Sequence, residues 1–425
     1  MKDEYFGNSP VRPMSLFSSF RLHRSRFPSV PLGVPYWNGA TYLSVVHSLA
    51  TGNMIGGPEL DKLQSSLIET LGVDYAFLCG SGSLALELAL RACGVGQRDE
   101  VVIPTFCCTA VVEPILAVGA VPVLADVGAE LNITAATVEA ALSKKTKAII
   151  VPHLFGNPAD IGSITDLVKG RNIHIIDDAA QALGAAIDGR PVGSFGDVGI
   201  ISFGREKVCS GLGGGVVVSR NKNILDKISN VDLSRPRRFG SAKNCASTLV
   251  CRHWRRWSLP LQGVFSRAPR DGPDTPPRPY RQETMANVNA AVALSLMQIL
   301  HDNIASRRGR AGAYQELLGG DERLQLIAHR SGSACLTQVV RVLPRRGDDD
   351  VAAGVIEALA SAGYEVQGSY VPIHLLPGYE QCVWDRLSNA ERIWADLIEL
   401  PCEPTVGLNH VQRIAEIIKD SLKGF

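Results

Sequence analysis

Residues 147–203 read KAIIVPHLFGNPADIGSITDLVKGRNIHIIDDAAQALGAAIDGRPVGSFGDVGIISF, and three short apolar runs within them decide the fold. KAIIVPH, HIIDDA and VGIISF are of strand length, each with an apolar centre, and the second ends in two acids. Between the first two lies ITDLVKG, with the apolar spacing of a short helix. Strands that lack polar alternation and are separated by helices belong to parallel sheets covered on both faces. The same alternation continues outward. YAFLCG, EVVIP and VPVLADV read as strands upstream, with helices in SGSLALELALRACG, CCTAVVEPILAVG and TAATVEAALS, and GGGVVVS supplies a strand downstream. The fold class expected is therefore α/β, with a mostly parallel seven-stranded sheet between helices in a large domain over residues 39–229.

Around that domain the character of the chain changes. Residues 1–38, rich in Ser, Pro and Arg, read as a loosely held N-terminal arm. ATYLSVVHSLA and GPELDKLQSSLIETLGV then show helical spacing, the second opened by Gly57 and Pro58. Residues 230–284 contain RPRRFG, RHWRRW and RAPRDGPDTPPRPYRQ, basic and Pro-rich, and predict a long insertion over the surface. Residues 285–318 have the pattern of one long helix leading into a smaller α+β C-terminal domain over 285–425. Strands are expected there near TQVVRVLP and YEVQGSY, with a closing helix in HVQRIAEIIKDSLKG.

With 425 residues, 45% of them hydrophobic, the chain buries a large core. Its 43 basic and 42 acidic side chains leave no field that would attract nucleic acid or anionic lipid, so a small-molecule partner is expected. No apolar run approaches the roughly 18–20 residues that span a bilayer, and MKDEYFGNSPVRP lacks the apolar core of a signal peptide, which predicts a cytoplasmic protein. Ten scattered cysteines, with only Cys107 and Cys108 close together, read as reduced thiols. Trp beside Arg over Arg252–Trp257 suits a membrane interface, but a solvated insertion packing an indole is the simpler account, and no firm membrane association is expected.

Three segments carry chemistry, each at a strand end where α/β proteins place their ligands. Gly80-Ser81-Gly82-Ser83 opens a helix, where unpaired N–H groups and the dipole favour an anion such as phosphate; an ordinary small-residue turn has the same composition. IIDDAAQALG ends a strand in two acids. One of them, Asp178 for preference, suits a protonated heterocyclic nitrogen, although either acid also fits as an N-cap. Ser202-Phe203-Gly204-Arg205-Glu206-Lys207 precedes the glycines Gly211 and Gly213–Gly215. A lysine fixed near a strand end forms an imine with an aldehyde once its surroundings lower its pKa, and Ser202 is within reach of a phosphate.

Together these segments resemble the DegT/DnrJ/EryC1/StrS family of pyridoxal-phosphate (PLP) dependent sugar aminotransferases, of fold type I. The resemblance runs from GNMIGGPELDKLQSSLIETLGV through GSGSLALELAL, DEVVIPTF, GAVPVLADV, KAIIVPHLFGNPADI and IIDDAAQALGAAIDGRPVGSFGDVGIISF, and returns at MANVNAA and YVPIHLLPGYE. It implies that Lys207 binds the cofactor, Asp178 holds its ring nitrogen, Gln181 meets its ring hydroxyl, and Gly82, Ser83 and Ser202 hold its phosphate. Cys108 falls where an aromatic residue commonly stacks on the ring, and Ser83 where threonine is commoner. Gly213 replaces a glutamate of the glycine run, and Gln282-Glu283-Thr284-Met285 loosely echoes Asn-Tyr-Arg-Met, which reaches the phosphate of the neighbouring subunit. Arg205 and His374 are candidates for the substrate side, beside surface pairing for the first and loop packing for the second.

The activity so implied moves an amino group from an amino-acid donor such as glutamate to a keto sugar or related cyclic ketone, in a homodimer. Two other readings stand beside it. One is a PLP enzyme for elimination, cyclisation or racemisation of an amino acid, and the other is a non-catalytic regulatory or binding protein on the same fold.

Overall fold

The computed structural model describes residue 30 and residues 36–209, 211–254, 280–343 and 351–424. Most of the expected arm and the Pro-rich part of the expected insertion lie outside the described residues, as do the side chains of Arg252–Trp257. Seven strands among the described residues form one sheet: β1 (Tyr75–Cys79), β2 (Glu100–Pro104), β3 (Val121–Ala125), β4 (Thr146–Pro152), β5 (His174–Asp178), β6 (Val198–Ser202) and β7 (Gly215–Ser219). Their order across the sheet is β1-β7-β6-β5-β4-β2-β3. The run from β6 to β3 is parallel throughout. Every residue of β6 and β7 is buried, in keeping with a sheet covered by helices on both sides.

β7 is antiparallel to both β6 and β1, for a reason of chain length. A parallel return needs a crossover of about a dozen residues or more, usually a helix. Residues 203–214 spend that length on the Lys207 loop and a glycine run, so the chain turns straight back and Ser202 pairs with Gly215. With β7 inverted, β1 points the same way as β6, and the carboxyl ends of β1, β2, β4, β5 and β6 share one edge.

Helix α1 (Gly39–Ala50) starts where the composition changes, with the Asn38 side chain accepting from the Thr41 N–H at 3.0 Å. Its inner residues Thr41, Val45 and Ser48 are buried, and Thr41 bonds Ser295 at 3.0 Å. Helix α2 (Glu59–Leu71) follows Pro58 and buries Leu63, Leu67 and Leu71 on one stripe. Helix α3 (Gly82–Ala92) follows β1 directly and is buried almost all round.

Two expectations need correction. The stretch 230–284 is not all loop, because Arg238–Trp254 is helical and buries Ser241 and Cys245 while Asn244 reaches the Leu212 carbonyl. The single helix over 285–318 is two, Asn287–Met297 and Leu300–Leu318. At the junction the ladder tightens, with the Ile299 N–H donating to Leu296 three residues back. The first helix is apolar and packs in the core of the large sheet, while the second departs toward a four-stranded sheet.

That smaller sheet contains β8 (Leu324–Leu326), β9 (Thr337–Val342), β10 (Gln367–Gly368) and β11 (Leu397–Pro401), in the order β8-β9-β11-β10 and antiparallel throughout. Ile398 and Leu400 pack with Val355, Ile356, Ile414 and Ile418 of the covering helices. Residues 379–390 close the other edge of the large sheet: the Val383 N–H and carbonyl pair with Pro122 and Leu124 of β3, and Asp126 accepts the N–H groups of Asn389 and Ala390 at 2.9 Å. No helix of the described residues is long and apolar enough to cross a membrane.

Gly199, inside β6, has no space for a side chain, since a methyl there would collide with the Gly193 carbonyl. We expect Gly199→Ala to lower unfolding stability by about 1–3 kcal/mol, read from the midpoint of urea unfolding with the m-value unchanged.

Candidate active site

The phosphate-type loop is built from both sides of the sheet. Ser81 caps α3 by accepting the Leu84 N–H at 3.2 Å, so the N–H groups of Gly82 and Ser83 occupy the first helix positions, which have no helical acceptor. Ser202, at the end of β6, stands directly over them: a Cβ on Gly82 would lie 3.0 Å from its Oγ. Ser83 turns the other way and donates to the Ala110 carbonyl at 3.4 Å. Beneath the loop, Gly215 presses so closely on the Ser81 carbonyl that no side chain fits.

The segment after the expected insertion braces this loop. The Gly80 N–H donates to the Glu283 carbonyl at 2.8 Å, and Glu87 of α3 accepts from the Tyr280 hydroxyl and Gln282 at 2.7 Å each. Burial works to raise the pKa of Glu87, but Tyr280, Arg91 and Gln282 outweigh it and hold the carboxyl below its usual value. Gln282 is thus tied within its own subunit.

Lys207 lies in a loop closed at its base, where the Phe203 N–H donates to Gly214 and the Gly213 N–H returns to Phe203, both at 3.0 Å. Gly213 and Gly214 have φ of 109° and 124°, which suits glycine at the position where the resemblance led one to look for glutamate. The lysine stem folds back over the strand end, because a Cβ on Gly204 would lie 3.5 Å from Lys207 Cγ and 3.6 Å from Ser202 Oγ. Arg205 is half-buried and Glu206 exposed in the same loop. In the small sheet, Ser369 and Gln367 donate to Glu399 of β11 at 2.9 and 3.2 Å, and burial, with the charge of Glu206 adding to it, pushes that carboxyl up to about 7.

At the end of β5 the two acids separate. Asp177 accepts from His153 Nε2 at 2.7 Å and from the N–H groups of Gly193 and Phe195 at 2.8 Å, while His153 Nδ1 accepts from Ala159. Asp178 is 4% exposed and accepts the Ala180 N–H at 3.0 Å. Burial raises its pKa, opposed by that bond and by the charge of Lys207. Asp177 is therefore committed to the scaffold, and Asp178 is the acid on which the lysine acts.

Cys107 points into the core, its thiol reaching the Pro104 carbonyl at 3.3 Å, and leaves half-buried Cys108 at the start of the turn that Ser83 touches. Gln181 accepts the Phe155 N–H and donates to the Tyr370 hydroxyl, both at 2.9 Å. Phe106, Phe155 and Tyr370 form an aromatic cluster with ring centroids 5.9–6.3 Å apart. His374 is wedged between Thr105 at 2.8 Å and Glu391 at 3.1 Å, stacked near Trp384, and burial lowers its pKa against the pull of Glu391. Gly82, Ser83, Cys108, Asp178, Gln181, Ser202 and Lys207 thus come to one edge of the sheet. His374 sits at the seam with both ring nitrogens engaged. Sequence reasoning passed over Tyr370, although it opens the YVPIHLLPGYE stretch, because its partner is 189 residues away.

Helix-start N–H groups, an amine and a buried carboxyl within the field of that amine match the phosphate, aldehyde and ring nitrogen of one compact cofactor, and the donor set fits PLP. Fold and site define a PLP-dependent transferase of fold type I. The chain belongs to the DegT/DnrJ/EryC1/StrS aminotransferase family, whose model matches residues 39–419. It is 29% identical to a GDP-perosamine synthase of Vibrio cholerae over 86% of this chain and 91% of that protein. It is 31% identical to a UDP-N-acetyl-3-dehydro-α-D-glucosamine 3-aminotransferase of Acidithiobacillus ferrooxidans, over 88% and 92%. A DegT DnrJ EryC1 StrS aminotransferase from Brucella abortus superposes with a TM-score of 0.72 at 25% identity, over 90% of this chain and 95% of the other. The protein is an aminotransferase, and PLP is its cofactor.

The raised Asp178 carboxyl sets a pH-dependent expectation. A carboxyl whose folded pKa exceeds its unfolded value favours folding while protonated, and that contribution is lost as pH rises through the folded pKa. Asp178→Asn keeps the acceptor for Ala180 and removes the buried charge, so the cofactor-free variant is expected to unfold at higher temperature than the parent near neutral pH. The gap closes as pH falls through the raised pKa, and PLP binding weakens. Melting curves across pH without cofactor, and a PLP titration by fluorescence, check both halves.

Proposed function

We propose that this enzyme moves an amino group from an amino-acid donor, glutamate, to the ketone of a nucleotide-linked keto sugar or related cyclic ketone. The observation that carries the reading is the placement of Lys207 and buried Asp178 beside the helix start at Gly82 and Ser83. The names of the two relatives quoted above each join a nucleoside diphosphate to a sugar, which supports the substrate class.

PLP, when bound, supplies an electron sink for the carbanion formed at the donor. Lys207 Nζ takes the proton from the donor's α-carbon and returns one to the carbon that receives nitrogen on the acceptor side. The Asp178 carboxylate keeps the ring nitrogen protonated. Gln181 Nε2 would donate to the ring hydroxyl, while the N–H groups of Gly82 and Ser83 and the Ser202 hydroxyl would hold the phosphate. Cys108 offers sulfur and aliphatic surface to the ring. Arg205, half-buried in the lysine loop, would meet an anionic group of the substrate, and His374 would line the acceptor's pocket, held by its Thr105 and Glu391 contacts. A cytoplasmic location belongs to the same reading, supported by scattered cysteines with no disulfide framework. So does a division into a large domain over 39–229, with which the helix Asn287–Met297 packs, and a small domain beyond that helix.

The spectrum tests this first. With PLP added, the parent is expected to show a violet-absorbing band that glutamate bleaches, and Lys207→Ala to lack it and lose turnover by at least about a thousandfold. A band indifferent to glutamate while another amino acid bleaches it removes glutamate as donor.

A homodimer completes the proposal. The outer face of α1 carries Leu43, Val46 and Leu49, exposed by 69, 58 and 50%, on a helix whose inner face is already packed. Apolar residues at that spacing suit a second copy of the chain. Light scattering is expected to give twice the chain mass for the parent and the chain mass for Leu43→Glu/Val46→Glu.

A further inference from the structure

The Gln181–Tyr370 bond links the end of β5 to a residue just past β10 of the small sheet. A backbone N–H only donates, so the Phe155 N–H fixes the oxygen end of the Gln181 amide and turns its nitrogen to the Tyr370 hydroxyl. Of the two hydrogens on Nε2, this contact uses one, and among the described residues the other has no hydrogen-bond partner.

The clamp itself is rigid. Phe155 has φ 58° and ψ 18°, a left-handed state that an aromatic residue adopts only when its surroundings impose it. Its carbonyl accepts the Leu336 N–H at 2.9 Å, and the Gly156 carbonyl accepts from Ala334 N and Ser333 Oγ at 2.8 Å each. Tyr370 packs edge-on against Phe106 and tilted against Phe155, with centroids 5.9 Å away in both cases.

We infer that Tyr370 is a positioning residue: its hydroxyl sets the rotation of the Gln181 amide and so aims the remaining N–H at the ring hydroxyl of bound PLP, making the cofactor's electronic state depend on how the small domain is seated. The inference rests on the Gln181 contact proposed above. A donor to the ring oxygen stabilises its anionic form, which lowers the pKa of the Lys207 linkage, and a badly aimed donor lets that pKa rise. The charged groups around the linkage are Asp178 on β5, Arg205 and Glu206 in its own loop, and Glu399 and Glu403, which feel Glu206 from the small domain. Neither substitution below alters them.

The test is a pH titration of the visible absorption of the PLP-loaded, full-length protein in four forms: parent, Tyr370→Phe, Gln181→Ala and the double variant. Phenylalanine keeps the aromatic packing, and unchanged melting of the cofactor-free forms controls for folding. Tyr370→Phe is expected to move the midpoint up by about one pH unit, Gln181→Ala by at least as much, and Tyr370→Phe to add nothing once Gln181 is gone. If Gln181→Ala shifts the midpoint and Tyr370→Phe does not, or if the two shifts add, Tyr370 does not act through Gln181 and the inference fails. If Gln181→Ala leaves the midpoint in place, the ring contact beneath the inference is what has failed.

Discussion

A β-strand turns successive side chains to opposite faces, and at the end of β5 that alternation sends two adjacent carboxylates into different surroundings. Asp177 is fully buried and receives three donors, one from His153 and two from the turn at Gly193 and Phe195. A buried charge without such donors would cost several kcal/mol. The knot also fixes the loop after β4, because His153 accepts from Ala159 on its far side. Phe155 and the segment that meets the small sheet sit inside that loop. Asp178, one residue on, is left with a local bond and the field of Lys207. The scaffold satisfies one acid so that the other is available to a ligand.

The lysine depends on a second constraint, the early return of the chain after β6. Phe203 pairs with the glycine run on both its N–H and its carbonyl, so the loop between has fixed ends and Lys207 folds back toward Ser202. Glycine is demanded twice for different reasons: the φ values of Gly213 and Gly214 suit no larger residue well, and Gly215 has to lie against the Ser81 carbonyl. Cradle and lysine are thus held by the same run of residues.

Much of this was legible in the sequence. The large sheet's strands each centre on a short apolar run, and helices α1 and α2 start beside a cap residue and a proline, so local signals and tertiary structure agreed. The cradle, acids and lysine were found because each sits at the end of a legible strand. What was missed is long-range or weakly patterned. Leu397–Pro401, one of the two inner strands of the small sheet, is a five-residue run interrupted by a half-buried glutamate, and neither its length nor its composition marks it. Arg238–Trp254 is rich in polar and basic residues, which read as loop. The break at Ile299 interrupts a helical pattern without Pro or Gly. What separates the two aspartates, and what holds Gln181, is the set of partners that Asp177 and Gln181 find outside their own segment.

The same long-range closure bears on how the chain can be made. β1 is the edge strand of the large sheet, and its neighbour β7 is completed only at Ser219. The loop that follows β1 is braced by the Glu283 carbonyl, and α1 lies on the helix that begins at Asn287. An emerging polypeptide therefore passes its midpoint before the partner of β1 is complete, and it carries α1 for more than half of its length before the helix at Asn287 leaves the ribosome. Over that interval β1 and the inner face of α1 are unpaired and apolar, the state in which nascent chains aggregate. That interval lengthens with the time taken to translate residues 219–297, and the pairing of strands so distant in sequence is itself slow, whatever the stability of the finished fold.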